Sequence, residues 1–263
     1  MTINSVNIII PLKNEESGIQ NLIENLVPVI KKIEKEINVT LIDDHSSDKT
    51  WEVIQEYEQK FSFIKGKKNK NITGIGSAIK FGIEENQKDA LIIFMGDCSD
   101  DPNDIITYIK YLEEGYDCVF GSRFIKGSKL YNYPFAKLFL NRLGNSFIRI
   151  LFLIKYNDVT NAFKAYKKGA LSKCNPIVSQ HFSINAELAL KSIIRGFKYK
   201  VVPISWTNRK KGISKFHIKE MRNRYFFTIL YVFLEKILLK EDINKDEKNK
   251  FLIILSNICF RLF

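Results

Sequence analysis

Hydrophobic positions in the first half of the chain switch between two periods. VNIII (6–10), VTLID (39–43), FSFIK (61–65), ALIIFM (90–95) and YDCVFGS (116–122) are short apolar runs of strand type. Between the first two, Ile19, Leu22, Ile23, Leu26, Ile30, Ile33 and Ile37 recur at helical spacing, which predicts a helix within Glu15 to Ile37. Ser47 or Asp48 caps a helix over 49–59, a glycine turn opens one over 74–86, and Pro102 opens another at its first turn. Strands alternating with helices predict βαβ units, hence an α/β fold with a mainly parallel central sheet flanked by helices.

The pattern changes after Gly121. Residues 134–156, PFAKLFLNRLGNSFIRILFLIKY, are apolar and basic with no acidic residue. At about 100° per residue, Lys137, Arg142, Arg149 and Lys155 fall in one sector of roughly 140°. Phe139, Leu140, Leu143, Phe147, Ile150, Leu151 and Ile154 take the other side, and Gly144 is a point where the helix can split. Two readings follow: a helix packed on the core with a solvated basic face, or one lying in a membrane interface where anionic headgroups meet the cations. Further on come a strand-like patch (159–168), a helix (185–196), a strand (199–206), the basic loop TNRKKGISK (207–215) and an aromatic-rich helix (216–240). A charged linker (241–250) and a short apolar tail (251–263) close the chain.

Composition narrows the setting. The 263 residues suffice for a sizeable core, and Lys plus Arg exceed Asp plus Glu by 41 to 29, a net charge of +12 that attracts polyanions. Nucleic acid, anionic lipid and phosphorylated substrates all suit that balance. The four cysteines, Cys98, Cys118, Cys174 and Cys259, show no CxxC spacing, so a reduced cytoplasmic setting is expected. The N-terminus reads as a strand and not as a signal peptide, and no apolar stretch reaches the roughly 18–20 residues of a membrane span.

Chemistry gathers at strand ends. LIIFMGDCSDDP (91–102) climbs to Asp97 and breaks into Asp100, Asp101 and Pro102, while LIDDHSSDKT ends another strand with Asp43 and Asp44. Carboxylates at the carboxyl ends of strands are where open α/β sheets bind ligands. Asp43 and Asp44 can accept from a nucleobase N–H or from ribose hydroxyls. For Glu16 and Asp48, helix capping is the plainer account, whereas Asp100 and Asp101 have two equal readings: they begin the helix after Pro102, or they supply a carboxylate to a metal site from that turn.

In order, IPLKNEE, LIDDHSSDKT, GIGSAIKFGI, FMGDCSDDP, FGSRFIKGS, VTNAFKAYKK and FSINAELALKSIIRGFKYKVVPISWTNRKKGISK resemble the successive motifs of family 2, GT-A-fold glycosyltransferases. Within that family the nearest type is the dolichol/polyprenyl-phosphate sugar (mannose or glucose) synthase, and the resemblance runs from about Ile8 to Leu230. It implies a catalytic domain over 1–215, with 216–240 close to a membrane and the chain held at its cytoplasmic face, peripherally or by shallow insertion. Carried over, it places Pro11, Asn14, Glu15, Asp44, Gly74, Gly76, Ser77, Arg209 and Lys215 at a nucleotide-sugar donor, with Gly212 permitting the turn of the last loop. Asp97 takes the second position of a DxD-type metal motif whose first position is Met95, with Ser99 as a further oxygen for Mg²⁺ or Mn²⁺. Arg123 and Lys137 fall to the acceptor phosphate, and Glu187 to the neighbourhood of the reacting sugar.

The resemblance implies inverting transfer of a sugar from a GDP- or UDP-sugar to polyprenyl phosphate, with reactants held in line and the leaving diphosphate stabilised by metal and cations. Three departures qualify it: Met95, Lys13 between Pro11 and Asn14, and His45 where DDGS-type sequences carry glycine. They leave two alternatives: transfer to a sugar hydroxyl of a glycan, or a catalytically quiet nucleotide-binding module. Nucleic-acid binding ranks last, because the basic residues track the phosphate-handling motifs.

Overall fold

The computed structural model describes residues 3–208 and 218–239. β1 (Ser5–Leu12) forms an interior strand of a sheet because Val6, Ile8, Ile9, Ile10 and Leu12 are apolar towards both faces. It pairs in parallel with β2 (Glu36–Asp43), from Ser5 opposite Glu36 to Leu12 opposite Asp43. That register claims Ile37 for the sheet, so the predicted helix ends early: α1 is Ile19–Ile30, and the helical spacing of Ile33 and Ile37 is coincidental. β3 (Ile64–Lys68) begins three residues into the apolar run 61–65, with Phe61 and Phe63 packed on the core as its lead-in.

α2 (Thr50–Lys60) joins β2 to β3, and α3 (Ile75–Glu84) leads to β4 (Ala90–Ile93). α4 (Asp104–Glu113), β5 (Cys118–Ser122), β6 (Lys129–Tyr131) and α5 (Phe135–Phe152) follow. The chain continues through β7 (Lys164–Lys167), α6 (Lys168–Ser172), α7 (Ile184–Ile194), β8 (Tyr199–Pro203), β9 (Ser205–Thr207) and α8 (Ile218–Leu238). The main sheet runs β3-β2-β1-β4-β7-β5-β8, parallel except for β7, which is antiparallel to both neighbours; β6 and β9 make a small parallel ribbon. The single predicted strand 199–206 is thus two, broken at Ile204 so that its second part leaves the sheet.

Two apolar layers cover the sheet. Ile8 and Ile10 meet α1, α2 and α4 on one face, while Ile9 and Ile42 meet α3, α5, α7 and α8 on the other. Because β2 and β3 extend to one side of β1 and β4 to the other, the strand order reverses beside β1, at the edge where open sheets bind ligands.

α5 runs unbroken through Gly144. It touches the core through a narrow strip, Asn145, Ile148 and Phe152. Its broad apolar side faces outward: Phe139 is 59% exposed, Phe147 59% and Ile150 70%. The reading in which this side packs on the core is therefore corrected. Phe226, Leu230, Leu234 and Ile237 of α8 are exposed as well, and α8 adjoins α5 through Phe233 against Phe152. Among the described residues no helix is long and apolar enough to cross a membrane.

Candidate functional site

The loops after β1, β2 and β3 form one hydrogen-bonded rim. Pro11 pairs opposite Ile42 in the register. Asn14, at φ 49°, donates its backbone N–H to Ser46 Oγ at 2.9 Å, and its Oδ1 accepts the N–H of Ser47 at 2.8 Å. The Glu15 N–H donates to Thr50 Oγ1 at 2.8 Å, and its carbonyl accepts from Gly18 and Ile19 to start α1. Asp44 is buried and accepts from Asn69 Nδ2 at 2.8 Å and from the Gly74 N–H at 3.1 and 2.9 Å. Two departures from the family pattern tie in the same segment. Lys13 Nζ donates to Thr73 Oγ1 at 2.6 Å, and His45 Nε2 lies 2.8 Å from the Asn71 carbonyl oxygen. His45 has φ 56°, the left-handed conformation that explains why glycine suits this position. Asn14, His45 and Cys98 follow three different strands and all have positive φ, so left-handed non-glycine residues cluster at this edge.

Gly74, Gly76 and Ser77 enter α3 against the segment 180–181. Gly74 has φ 150°, and a Cβ there would lie 2.5 Å from the Gln180 carbonyl oxygen; a Cβ on Gly76 would lie 2.5 Å from the Gln180 and His181 backbone. The N–H groups of Gly76 and Ser77 both donate to Gln180 O, at 3.0 and 3.1 Å. The first amides of α3 are thus engaged within the protein, and the turn shapes the site more than it offers a helix terminus to an anion.

Beyond β4, Met95 is half-buried and Asp97 Oδ1 accepts the Ser99 N–H at 3.1 Å. β9 closes over this turn: Thr207 N–H donates to Ser99 O at 2.8 Å, Asp101 N–H to Ser205 O at 3.2 Å, and Asp100 bridges to Trp206. Among the described residues, Ser99 Oγ and Asp100 Oδ1 are buried without a hydrogen-bond partner. Burial, reinforced by the nearby Asp97 charge, pushes the Asp100 carboxyl up to about 8. An all-oxygen set with two orphaned buried atoms fits a hard divalent cation. Among the described residues no three acidic, histidine or cysteine side chains gather as a metal cage, so diphosphate oxygens would have to complete the shell.

Arg123, at the end of β5, is buried and held in a fork by Asp158: Nε at 2.8 Å, Nη2 at 2.7 Å, with its own backbone N–H at 2.9 Å. Burial disfavours the guanidinium, but the Asp158 carboxylate outweighs it and raises the Arg123 pKa. Nη1 points to Tyr133 Oη at 3.5 Å, and the Lys137 ammonium lies over the Tyr133 and Trp206 rings at 5.5 and 5.3 Å. Arg123 and Lys137 are therefore joined through Tyr133, beside the Ser99–Asp101 turn that β9 covers. Asp158 was not singled out from the sequence, although it is the only acidic residue between Asp117 and Glu187. Glu187 is carried by α7, wholly buried against the segment 178–179, with Lys191 Nζ at 2.8 Å. Arg209, Gly212 and Lys215 lie outside the described residues, as do the linker 241–250 and the tail 251–263.

A mixed sheet of this order with polar loops gathered at its switch point is the GT-A arrangement. Glucosyl-3-phosphoglycerate synthase from Mycobacterium tuberculosis, in complex with Mn²⁺, UDP and glucosyl-3-phosphoglycerate, matches it with a TM-score of 0.66, 12% identity, and coverage of 89% of this chain and 80% of that one. The TarS 1–349 structure from S. aureus matches with a TM-score of 0.59 and 15% identity, over 94% of this chain and 69% of that one. At such identities these likenesses show the fold alone.

The chain belongs to glycosyl transferase family 2, whose model matches residues 7–174. A dolichol-phosphate mannosyltransferase from Pyrococcus furiosus is 29% identical over 215 residues, 80% of this chain but 58% of that protein's length. A polyprenol monophosphomannose synthase from Mycolicibacterium smegmatis is 25% identical over 230 residues, 83% of each chain.

Proposed function

We propose that the protein is an inverting glycosyltransferase that moves a sugar from a nucleotide-sugar donor, a GDP- or UDP-sugar, to polyprenyl phosphate at a membrane surface. One observation carries this reading: the joined cations Arg123 and Lys137 sit where α5 begins, and α5 presents an exposed apolar side bordered by basic residues. An acceptor with a phosphate head and a long hydrocarbon tail matches that juxtaposition better than a neutral glycan does. The names of the two curated relatives point the same way.

In this account Pro11, Asn14, Glu15, Asp44 and the Gly74–Ser77 turn border the nucleoside, and Arg209 and Lys215 neutralise its diphosphate. A divalent cation, Mg²⁺ or Mn²⁺, held by Asp97 and Ser99 with Asp100 beside them, would stabilise charge on the departing diphosphate. Asp158 keeps the guanidinium of Arg123 charged and aimed, so that the acceptor phosphate is bound in line with the sugar carbon. A lipid phosphate with a second ionisation near about pH 6 is already largely anionic at neutral pH, so it attacks without a dedicated base.

The test uses purified protein, polyprenyl phosphate, Mg²⁺ or Mn²⁺ and a panel of GDP- and UDP-sugars, with lipid products read by mass spectrometry. The reading expects a sugar-phosphate-lipid that is lost in Asp97→Ala and in Arg123→Ala. Transfer that survives both Arg123→Ala and Lys137→Ala, or that needs a glycan hydroxyl, contradicts it.

A further inference from the structure

Glu187 is 0% exposed, and both its oxygens serve the backbone of the segment after α6. Oε1 accepts the Val178 N–H at 2.9 Å and Oε2 the Ser179 N–H at 2.8 Å. The next residue is Gln180, whose carbonyl takes the N–H groups of Gly76 and Ser77, with Gly74 and Gly76 pressed against it. One carboxylate thus fixes a two-residue stretch of backbone that in turn fixes the entry to α3. On the other side of that entry, Asp44 holds the Gly74 N–H. Burial opposes the Glu187 charge, but Lys191 and the two backbone donors prevail and lower its pKa.

α8 clamps the same segment from outside. Thr228 Oγ1 lies 3.1 Å from Ser179 Oγ, and Tyr225 Oη donates to the Phe182 carbonyl at 3.1 Å. Glu235 of α8 accepts from Arg195 Nε at 2.8 Å and stands 3.8 Å from Lys191 Nζ. Every charge in this cluster is directed at another part of the protein.

We infer that Glu187 is a positioning residue: through the backbone of 178–180 it sets the shape of the Gly74–Ser77 turn, and with it the affinity for the nucleoside diphosphate of the donor. The inference rests on the reading of that turn as the donor's border. It assigns Glu187 to donor binding and not to chemistry at the sugar. The carboxylate is required because two N–H groups need two acceptors; a glutamine amide offers one oxygen and sets its NH₂ against the other donor.

UDP and GDP, each with Mn²⁺, are titrated calorimetrically into wild type, Glu187→Gln and the double variant Glu187→Gln/Lys191→Met. The double variant leaves no unpaired buried ammonium and keeps the test open if the single variant folds poorly. Amide exchange at Gly76 and Ser77 is followed in the free proteins, and donor KM and kcat are measured with polyprenyl phosphate as acceptor. The expected result is a Kd and a donor KM raised about tenfold in both variants, kcat within about twofold of wild type, and faster exchange at Gly76 and Ser77. Wild-type affinity and exchange in the variants overturn the inference alone, as does a loss confined to kcat. A wild-type chain that binds neither diphosphate overturns the functional reading and this inference with it.

Discussion

At the scale of single residues, the strongest arrangement is the buried fork between Asp158 and Arg123. Removing one partner of such a pair leaves an uncompensated charge, so Asp158→Asn is expected to cost about 3–5 kcal/mol of stability by urea unfolding. Next to it Lys164 is buried, donating to the carbonyls of Val159 and Asn161, and burial pulls its pKa from 10.5 down to about 7. Between those values the unfolded chain binds more protons than the folded one, so stability rises with pH across that window and the penalty is complete below about 7. Lys164→Met removes the effect. Its advantage over wild type is expected to be largest near pH 7 and to shrink by up to about 1.4 kcal/mol per pH unit towards pH 10. Parallel unfolding curves at pH 7, 8 and 9 would contradict this. The sequence made Arg123 legible because a motif carries it, whereas Asp158 became meaningful only once β5 and the 156–161 turn met. The position of Glu187 was likewise visible, but its partners Val178 and Ser179 offer only backbone N–H groups, which no side-chain pattern records.

Elements were legible where periodicity and capping agreed. β1, β2, β4, α2, α3 and α7 all lie close to their predicted spans: β1 and β4 are continuous apolar runs buried on both faces, and α2 and α3 bury residues at helical spacing. The errors share a cause: partners distant in sequence decided them. Ile37 follows a helical spacing yet pairs beside Asn7's neighbour Val6 in the sheet. α5 has the apolar arc of a core helix, but only Asn145, Ile148 and Phe152 of it are buried. Its exposed aromatics therefore contribute little to folding. Phe139→Ser and Phe147→Ser are each expected to leave stability within about 0.5 kcal/mol while weakening binding to anionic lipid vesicles about tenfold, read by co-sedimentation. At the entry to α3 the reverse holds: Gly76→Ala places a methyl against the Gln180–His181 backbone and is expected to destabilise by about 1–3 kcal/mol, measured by chemical denaturation.

Across the whole molecule, the switch point beside β1, the cations Arg123 and Lys137, and the outward apolar sides of α5 and α8 belong to one arrangement. In the proposed function the polar loops at the sheet edge would meet the donor, and α5, with its exposed apolar side, begins beside the cations Arg123 and Lys137 that the proposal assigns to the acceptor phosphate. The net charge of +12 then suits a surface of anionic lipid, and vesicle binding is expected to weaken as salt rises through the range where the Debye length falls below about 8 Å. The α/β class and the order of the motifs were legible because a sheet edge collects residues that sit at regular intervals along the chain. The contact between α8 and the 178–182 segment was not, since nothing in either stretch names the other. The central claim is that a phosphorylated lipid is the acceptor, and the most direct measurement is transfer from each GDP- and UDP-sugar to polyprenyl phosphate by wild type, Arg123→Ala and Lys137→Ala, with products read by mass spectrometry. The account predicts a lipid-linked sugar phosphate with wild type and at least a tenfold loss in each variant. No lipid product from any donor, while nucleoside diphosphate still binds, would contradict it.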